Sequence, residues 1–324
     1  MIKVAIVGYG NLGRGVTLAV HKAKDMECVG IFTRRDPSLL KPAVDYPVYS
    51  IDKLNNFKGE VDVLLLCGGS ATDLPNTTAE LLKHFNTVDS FDTHAKIPEY
   101  YEKLDKVAKE NGTLSAISIG WDPGVFSIAR MLFGAVLPDG NDYTFWGKGV
   151  SQGHSDAIRR INGVKNAIQY TIPKEQALDA VRQGLNPALT TRDKHLRECF
   201  VAVYDGADKS AIENEIKNMP NYFADYDTIV NFVSEEQVLE MQKKLSHGGF
   251  VFRTGNTTEL NAHVLELSLK LDSNPEFTGS VLTAYARAIA RMAKEGKTGC
   301  VTVYDIPLKY LSSLSEQDLR AKLL

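Results

Sequence analysis

Cysteine is scarce. Four residues in 324, Cys28, Cys67, Cys199 and Cys300, lie far apart, a spacing that matches neither a zinc motif nor the disulfide framework of a small secreted domain. Tryptophan is rarer still, with two residues. Fully apolar runs such as Val63 to Cys67 fall far short of the ~18 residues that mark a membrane span. A basic excess is also missing: the net charge is −3, which removes the electrostatic footprint of a nucleic-acid binder. His84 and His94 have no partners at metal-ligand spacing, so no metal site is expected. No internal repeat, low-complexity tract or nucleophile elbow is visible. The buried-strand pattern starts within two residues of Met1 and leaves no room for a signal peptide. A soluble, cytoplasmic protein is therefore expected, with 44% hydrophobic residues to build a core and a length that suits two domains.

What is present begins with MIKVAIVGYGNLGRG, Met1 to Gly15. Apart from Lys3, Ile2 to Val7 is uncharged and rich in β-branched residues, as in a strand covered on both faces. Gly8-Tyr9-Gly10-Asn11-Leu12-Gly13 follows, then Val16, Leu18, Ala19 and Val20, which suit a helix. Strand, G-x-G-x-x-G and helix in that order form the dinucleotide-binding fingerprint. Gly8 permits the tight turn, Gly10 lets backbone approach a pyrophosphate, Gly13 lets helix and strand pack closely, and the helix N-terminus faces the phosphates. The same glycines taken alone also suit a turn with no ligand. The second strand, Val29 to Phe32, ends in Thr33-Arg34-Arg35, where an NAD-binding fold carries an acidic residue for the ribose 2′-hydroxyl. Guanidinium forks match phosphate geometry, so NADP is the expected cofactor. Two solvated arginines would read the same way, and Asp36 stands just beyond them.

Asp62 to Cys67 is a further buried strand. It ends in Gly68-Gly69-Ser70-Ala71-Thr72, small residues beside which a cofactor can lie. Thr77 to Phe85 reads as a helix, and Thr87 to Asp92 as a short strand with Ser90 and Phe91 near its end. Pro98 to Glu110 reads as a helix closed by Gly112. Leu114 to Ile119 is another strand, followed by Gly120-Trp121-Asp122-Pro123-Gly124. The alternation implies a Rossmann-type, doubly wound parallel sheet whose ligands sit beyond the carboxyl ends of its strands. Asp92 and Asp122 fall at two such ends. Carboxylates placed there suit an ammonium group and repel a carboxylate; each alone equally suits a loop or helix-capping aspartate.

Val125 to Val136 reads as an apolar helix leading out of the first domain. Beyond Asn141 the pattern changes: Tyr143 to Lys148, Ala167 to Ile172, Glu198 to Tyr204, Thr228 to Val233 and Val251 to Arg253 read as strands. His263 to Leu271 alternates with a period of two, the mark of a strand with one buried face. Ser234 to Gln237 is a capping box opening a helix to Leu245, and Pro275 to Glu295 contains a long helix that returns the chain toward the first domain. These elements make an α+β domain with a mixed sheet. The expected division is a dinucleotide-binding domain over residues 1–122, completed by about 296–324, and a substrate-binding and dimerisation domain over 123–295. Ser151-Gln152-Gly153-His154-Ser155 is a polar loop, and Thr171, Arg197 and His247 together offer a hydroxyl, a guanidinium and an imidazole for a carboxylate. Singly, Arg197 reads as a surface ion pair, and His154 and His247 as satisfied loop histidines.

VGYGNLGRG, FTRR, CGGSATD, VDSFDTH, GWDPG, TFWGKGVSQGHSDAIRRI, MPNYF and SHGG together resemble the meso-diaminopimelate dehydrogenase family across essentially the whole chain. The resemblance implies an NADP-dependent, homodimeric enzyme. It oxidatively and reversibly deaminates the D-centre of meso-2,6-diaminopimelate to L-2-amino-6-oxopimelate, ammonia and NADPH, in lysine and peptidoglycan precursor metabolism. It further implies that Asp92 and Asp122 hold the ammonium at the D-centre beside Trp121, Trp146, Gln152 and Gly153, and that either aspartate serves as the base. Thr171, Arg197 and His247 would hold the distal L-centre, with Asn256 and Asn274 as further contacts. Closure of the two domains over the substrate is expected. Two other readings stay open at this point: an NADP-dependent aldehyde or imine reductase using a group such as Cys67, and a non-enzymatic NADP-binding sensor.

Overall fold

The computed structural model describes all residues, 1–324. By contact density the chain divides into two compact units, Met1–Ile128 with Pro275–Leu324, and Ala129–Asn274. The first unit opens with β1 (Ile2–Val7), α1 (Asn11–Lys22), β2 (Met26–Thr33), β3 (Val48–Ser50) and β4 (Val63–Leu66). It continues with α2 (Asp73–Leu82), β5 (Thr87–Asp89), α3 (Ile97–Asn111) and β6 (Leu114–Ala116). α4 (Val125–Val136) carries the chain into the second unit. There follow β7 (Gly140–Trp146), β8 (Gly149–Val150), α5 (Gln152–Arg159), β9 (Val164–Pro173), α6 (Glu175–Arg182) and α7 (Thr191–Lys194). The unit is completed by β10 (His195–Val203), α8 (Lys209–Lys217), β11 (Asp227–Phe232), α9 (Glu235–Gln242), β12 (His247–Thr258) and β13 (Asn261–Leu271). α10 (Asn274–Lys294), β14 (Gly299–Val301) and α11 (Glu316–Leu323) return to the first unit.

Seven strands form one parallel sheet in the order β14-β6-β5-β4-β1-β2-β3. This is the Rossmann-type, doubly wound arrangement, with a hydrophobic cluster on each face. Val4 and Ile6 point into one cluster and Ala5 into the other, which is why β1 reads as a continuous apolar run. From Pro275 on, the long helix α10 belongs to this core: Leu282, Tyr285, Ala286 and Ile289 lie among the side chains of β1, β4 and β6. The first unit therefore takes the chain back at Pro275 rather than near 296, and it extends past 122 to Ile128. Two strands end sooner than their apolar content suggests: β5 stops at Asp89 and β6 at Ala116.

The second unit holds not one sheet but two. β11-β10-β9-β8 is mixed, with β10 and β11 parallel and the other pairs antiparallel. β13-β12-β7 is antiparallel. β12 runs for 12 residues where three were expected, and β10 begins at His195 rather than Glu198. On β13 the alternation is present, but Leu265, Leu267 and Leu269 are only half-buried rather than covered. No helix is long and apolar enough to cross a membrane.

Candidate active site

In the first unit, the turn after β1 is shaped by contacts that a side chain would break. Gly8 adopts φ 92°, and a Cβ on Gly13 would lie 2.3 Å from the Gly8 carbonyl oxygen. Protein packing thus accounts for both. It does not account for Gly10: a Cβ there would meet nothing within 4 Å. Gly10 caps α1 with no side-chain hydrogen bond, and the first turn of α1 carries no acidic residue. Bare backbone, free helix N–H groups and the positive end of the helix dipole fit a pyrophosphate.

At the end of β2, Thr33 is buried and its hydroxyl accepts the Arg35 N–H at 3.1 Å. The Arg35 guanidinium donates to the Tyr9 carbonyl, and Arg34 reaches Asp73 at 2.7 Å in an exposed pair. Such a pair is worth ~0–1 kcal/mol, so Arg34 is easily redirected to a phosphate. Asp36 is committed elsewhere: its carboxylate caps the following turn, accepting the Ser38 N–H and O–H at 2.9 and 2.8 Å. Below the arginines a cavity of about 230 Å³ is lined by Val7, Phe32, Arg34, Leu66, Gly68 and Leu74, among others. Apolar strand ends capped by an arginine suit an adenosine carrying a 2′-phosphate. The residues present fit NADP.

Cys67 is not set up as a nucleophile: burial of its sulfur pushes the thiol pKa up, and the sulfur lies 3.7 Å from the Leu65 carbonyl oxygen, which disfavours the thiolate that the reductase reading needs. Gly69, Ser70 and Ala71 form the loop before α2, and the Ser70 hydroxyl accepts the Asp92 N–H at 3.1 Å. Phe91, just past β5, has its ring buried and stacked on Tyr100 with centroids 4.2 Å apart. Only backbone at Phe91 is left to contact a ligand. Asp92 is exposed and Asp122 half-buried. The Asp122 turn is tight: Gly124 sits at φ 132°, and a Cβ there would lie 1.7 Å from the Gly120 carbonyl oxygen. Trp121 is buried edge-on against Phe126. The backbone thus fixes where both carboxylates emerge.

Sequence reasoning missed Asp89, which is fully buried at the end of β5. Burial without a cation beside it raises its pKa to about 6, against the pull of the Phe91 and Ser118 amides and the Tyr100 hydroxyl. The available signal was an acidic residue closing an apolar strand.

In the second unit, strand register brings Thr171 and Arg197 together. They are direct partners between β9 and β10, and Gly149 of β8 pairs with Thr171. The Arg197 guanidinium donates to the Thr171 hydroxyl and stacks 3.9 Å from the Tyr226 ring centroid. Three arginines in the chain are buried: Arg197, Arg253 and Arg287. Arg253 has Asp142 at 2.8 Å and Arg287 has Asp25 at 2.6 Å. Arg197 has no carboxylate, and its Nε has no partner. Burial lowers its pKa, while Tyr226 favours the charge.

His247 joins this cluster, since a Cβ on Gly149 would lie 2.3 Å from its ring. Gln152 and Gly153 open α5, capped by Ser151. His154, in the same turn, holds Ser151 Oγ 2.6 Å from Nδ1 and packs edge-on against Tyr222 and Phe223. Burial, with Arg197 next, lowers its pKa to about 4. His195, also missed from the sequence, stacks on Trp146 and accepts the Trp146 N–H at 2.9 Å on Nε2. Burial lowers its pKa to about 3, so it accepts as the neutral ring. Asn274 opens α10, its N–H donating to the Leu245 carbonyl at 2.8 Å. Asn256 does not belong here. It is exposed near the far end of β12, nine residues or roughly 30 Å along the strand from His247. No group of three or more His, Cys, Asp or Glu gathers as a metal-ligand set.

A nucleotide-ready sheet followed by a unit with a carboxylate-free buried arginine defines a two-unit dehydrogenase of the dinucleotide-binding class. Comparison with known proteins gives the particular kind. A family profile described as "Diaminopimelic acid dehydrogenase C-terminal domain" matches residues 120–273. The chain is 56% identical over 326 residues to the meso-diaminopimelate D-dehydrogenase of Acetivibrio thermocellus, covering 100% of this chain and 98% of that relative. It superposes with TM-score 0.92 and 43% identity on the Corynebacterium glutamicum DAP dehydrogenase in complex with DAP, covering 100% and 99% of the two chains. An engineered D-amino acid dehydrogenase bound to NADP+ matches with TM-score 0.88 and 42% identity, over 100% and 99%. The chain belongs to the meso-diaminopimelate D-dehydrogenase family.

Proposed function

We propose that this chain catalyses the reversible, NADP-dependent oxidative deamination of the D-centre of meso-2,6-diaminopimelate, giving L-2-amino-6-oxopimelate, ammonia and NADPH. The observation that carries the reading is Arg197, a buried guanidinium that has the Thr171 hydroxyl and the Tyr226 side chain beside it but no carboxylate. Desolvating such an ion costs several kcal/mol, and the hydroxyl and ring return about 2–4. A substrate carboxylate makes up the difference. Relatives that act on diaminopimelate and a solved relative carrying DAP supply the identity of that anion.

The glycine turn and α1 hold the pyrophosphate of NADP, Arg34 and Arg35 its 2′-phosphate, and the Val7–Phe32–Leu66 cavity its adenine. NADP when bound supplies the hydride acceptor. Asp92 and Asp122 take the ammonium of the reacting carbon. One of them receives its proton and assists the water that releases ammonia from the imine. Trp121 in the first unit, and Trp146, Gln152 and Gly153 in the second, are further substrate contacts in this reading. Thr171, Arg197 and His247 take the distal carboxylate, with Asn274 beside them. Fixing both ends is what lets one hydrogen be chosen on a molecule whose two ends differ only in chirality.

The working form is a cytoplasmic homodimer in this reading. Supporting it, Met131, Leu132 and Val136 on α4 are 49%, 50% and 60% exposed, and the leucine face of β13 is left half-covered. Light scattering should give twice the mass of 35.7 kDa; a monomer would remove this part. The reaction is tested by following NADPH and ammonia with meso-diaminopimelate, its L,L isomer and D-lysine. Stoichiometric NADPH and ammonia from the meso compound alone supports the assignment. NADP binding with no turnover on any of the three would overturn it.

A further inference from the structure

Asp89 is the one buried carboxylate in the first unit without a cationic partner, and one of its two oxygens is bonded to the loops that carry Asp92 and Asp122. Its Oδ1 accepts two backbone amides, Phe91 N–H at 3.0 Å and Ser118 N–H at 3.2 Å. Its Oδ2 accepts the Tyr100 hydroxyl at 2.8 Å, and Tyr100 Oη lies 2.8 Å from the Thr78 hydroxyl. Its own carbonyl accepts the Ile119 N–H at 2.9 Å.

The recipients matter. Phe91 immediately precedes Asp92, and Ser118 lies four residues before Asp122. The ladder between β5 and β6 consists of Thr87 with Ser115 and Val88 with Ala116, and it stops there. One residue beyond it, Asp89 still pairs with Leu66 and Ile117 still donates to the Val301 carbonyl, and then both segments leave the sheet. Ser118 stands at φ 59°, a left-handed conformation uncommon for a residue with a side chain. An amide leaving a sheet at such an angle needs an acceptor off the ladder. One oxygen of Asp89 supplies it and simultaneously ties down the loop from β5.

We propose that Asp89 is the positioning residue that sets the spacing of Asp92 and Asp122, by holding the loops after β5 and β6 on a single carboxylate oxygen. The inference rests on the assignment of those two aspartates to the substrate amine. Asp89 acts through acceptor geometry, so its charge is dispensable and its reach is not. In Asp89→Asn, the amide oxygen keeps both N–H groups and the amide nitrogen donates to Tyr100, whose hydroxyl then donates to Thr78. Asp89→Glu keeps the charge but moves the acceptor by one methylene.

The test compares Asp89→Asn, Asp89→Glu, Asp89→Ala and Tyr100→Phe in the NADP-bound enzyme, with kcat, KM for meso-diaminopimelate, NADP affinity and unfolding midpoint measured for each. Asp89→Ala and Asp89→Glu should lower kcat on the order of 10²-fold, the scale for displacing reacting groups by about 1 Å, with a much smaller change in NADP affinity. Asp89→Asn and Tyr100→Phe should keep kcat within a few-fold. A kcat and KM unchanged in Asp89→Glu, with only the midpoint lowered, would leave Asp89 a structural residue and end the proposal. So would an Asp89→Asn that itself loses kcat on the order of 10²-fold, because the acceptor geometry it keeps would then not be what counts. If Asp89→Ala or Asp89→Glu does not fold, Asp89→Asn still decides by that criterion, which needs no other variant. Asp92→Asn and Asp122→Asn run in the same assay separate the two layers. Unchanged kcat/KM in both removes the assignment beneath the inference; a loss in both with none in Asp89→Glu removes the inference alone.

Discussion

The two units present their functional groups in opposite ways. In the first, the arginines and the two aspartates assigned to ligands stand on loops past strand ends, and backbone geometry places them: the turn at Gly8 to Gly13, the Ser70–Asp92 contact, the tight turn at Gly124. In the second, Thr171 and Arg197 sit inside strands, on a sheet face, and only register brings them together. Loop ends tolerate exposed carboxylates at little energetic cost. A strand interior does not tolerate an unpaired arginine unless a ligand repays it. The first unit therefore gives its site away by chain geometry, and the second by an electrostatic deficit.

The sharpest break in this comparison is expected at Asp122. Asp122→Ala should lower kcat on the order of 10²-fold, within the range of a positioned proton-transfer group, and leave NADP affinity in place. A loss of NADP binding instead would move Asp122 to the nucleotide side. Next is Arg197→Met, which should raise KM for meso-diaminopimelate by roughly tenfold to a hundredfold, the worth of a charge-assisted bond of about 1.5–3 kcal/mol. Its unfolding midpoint should hold or rise, because no protein carboxylate is orphaned. Arg253→Met and Arg287→Met should do the reverse, costing roughly 1–3 kcal/mol of stability in denaturant titrations with KM unmoved. If Arg197→Met loses as much stability as these two, Arg197 is structural.

A smaller effect is expected at Arg35→Asp: the preference for NADP over NAD should fall about tenfold, for one charge-assisted phosphate contact. An unchanged cofactor ratio would reassign the arginines to the surface. The smallest concerns pH. His154 and His195 are held neutral, with pKa values lowered to about 4 and about 3, whereas the unfolded chain takes up protons near 6.5. Between those values the unfolded state binds more protons at the two histidines, while Asp89, raised to about 6, takes up a proton in the folded state and offsets one of them; with two groups against one, stability should still fall as pH drops from about 6.5 toward 4 and be flat above 7. Denaturant midpoints at pH 7.5, 6 and 5 measure it. Arg197→Met should flatten the slope, since its charge contributes to both shifts.

The parts of the molecule that were readable in the sequence share a cause. β1, its glycine turn and α1 carry their signal within a few consecutive residues, so local pattern suffices. The carboxylates after β5 and β6 follow from the rule that ligands sit beyond strand ends, and the rule needs no contact map. The misreadings share a different cause. β5 and β6 were drawn too long because Asp89 intercepts amides that the ladder would otherwise have used, and a side chain's choice of partner leaves no periodic trace. β10 was begun too late because His195 and Arg197 look like loop residues until they are seen buried. Asn256 was grouped with His247 on the strength of resemblance, and a 12-residue strand keeps them apart.

The central claim is that the second unit grips the distal carboxylate through Arg197 while the first acts at the amine. Comparing kcat/KM for meso-diaminopimelate with that for D-lysine, which lacks the distal carboxylate, in the native enzyme and in Arg197→Met, tests this most directly. The account predicts strong discrimination in the native enzyme and its collapse, through loss on the meso compound alone, in the variant. Discrimination that survives Arg197→Met intact would contradict it.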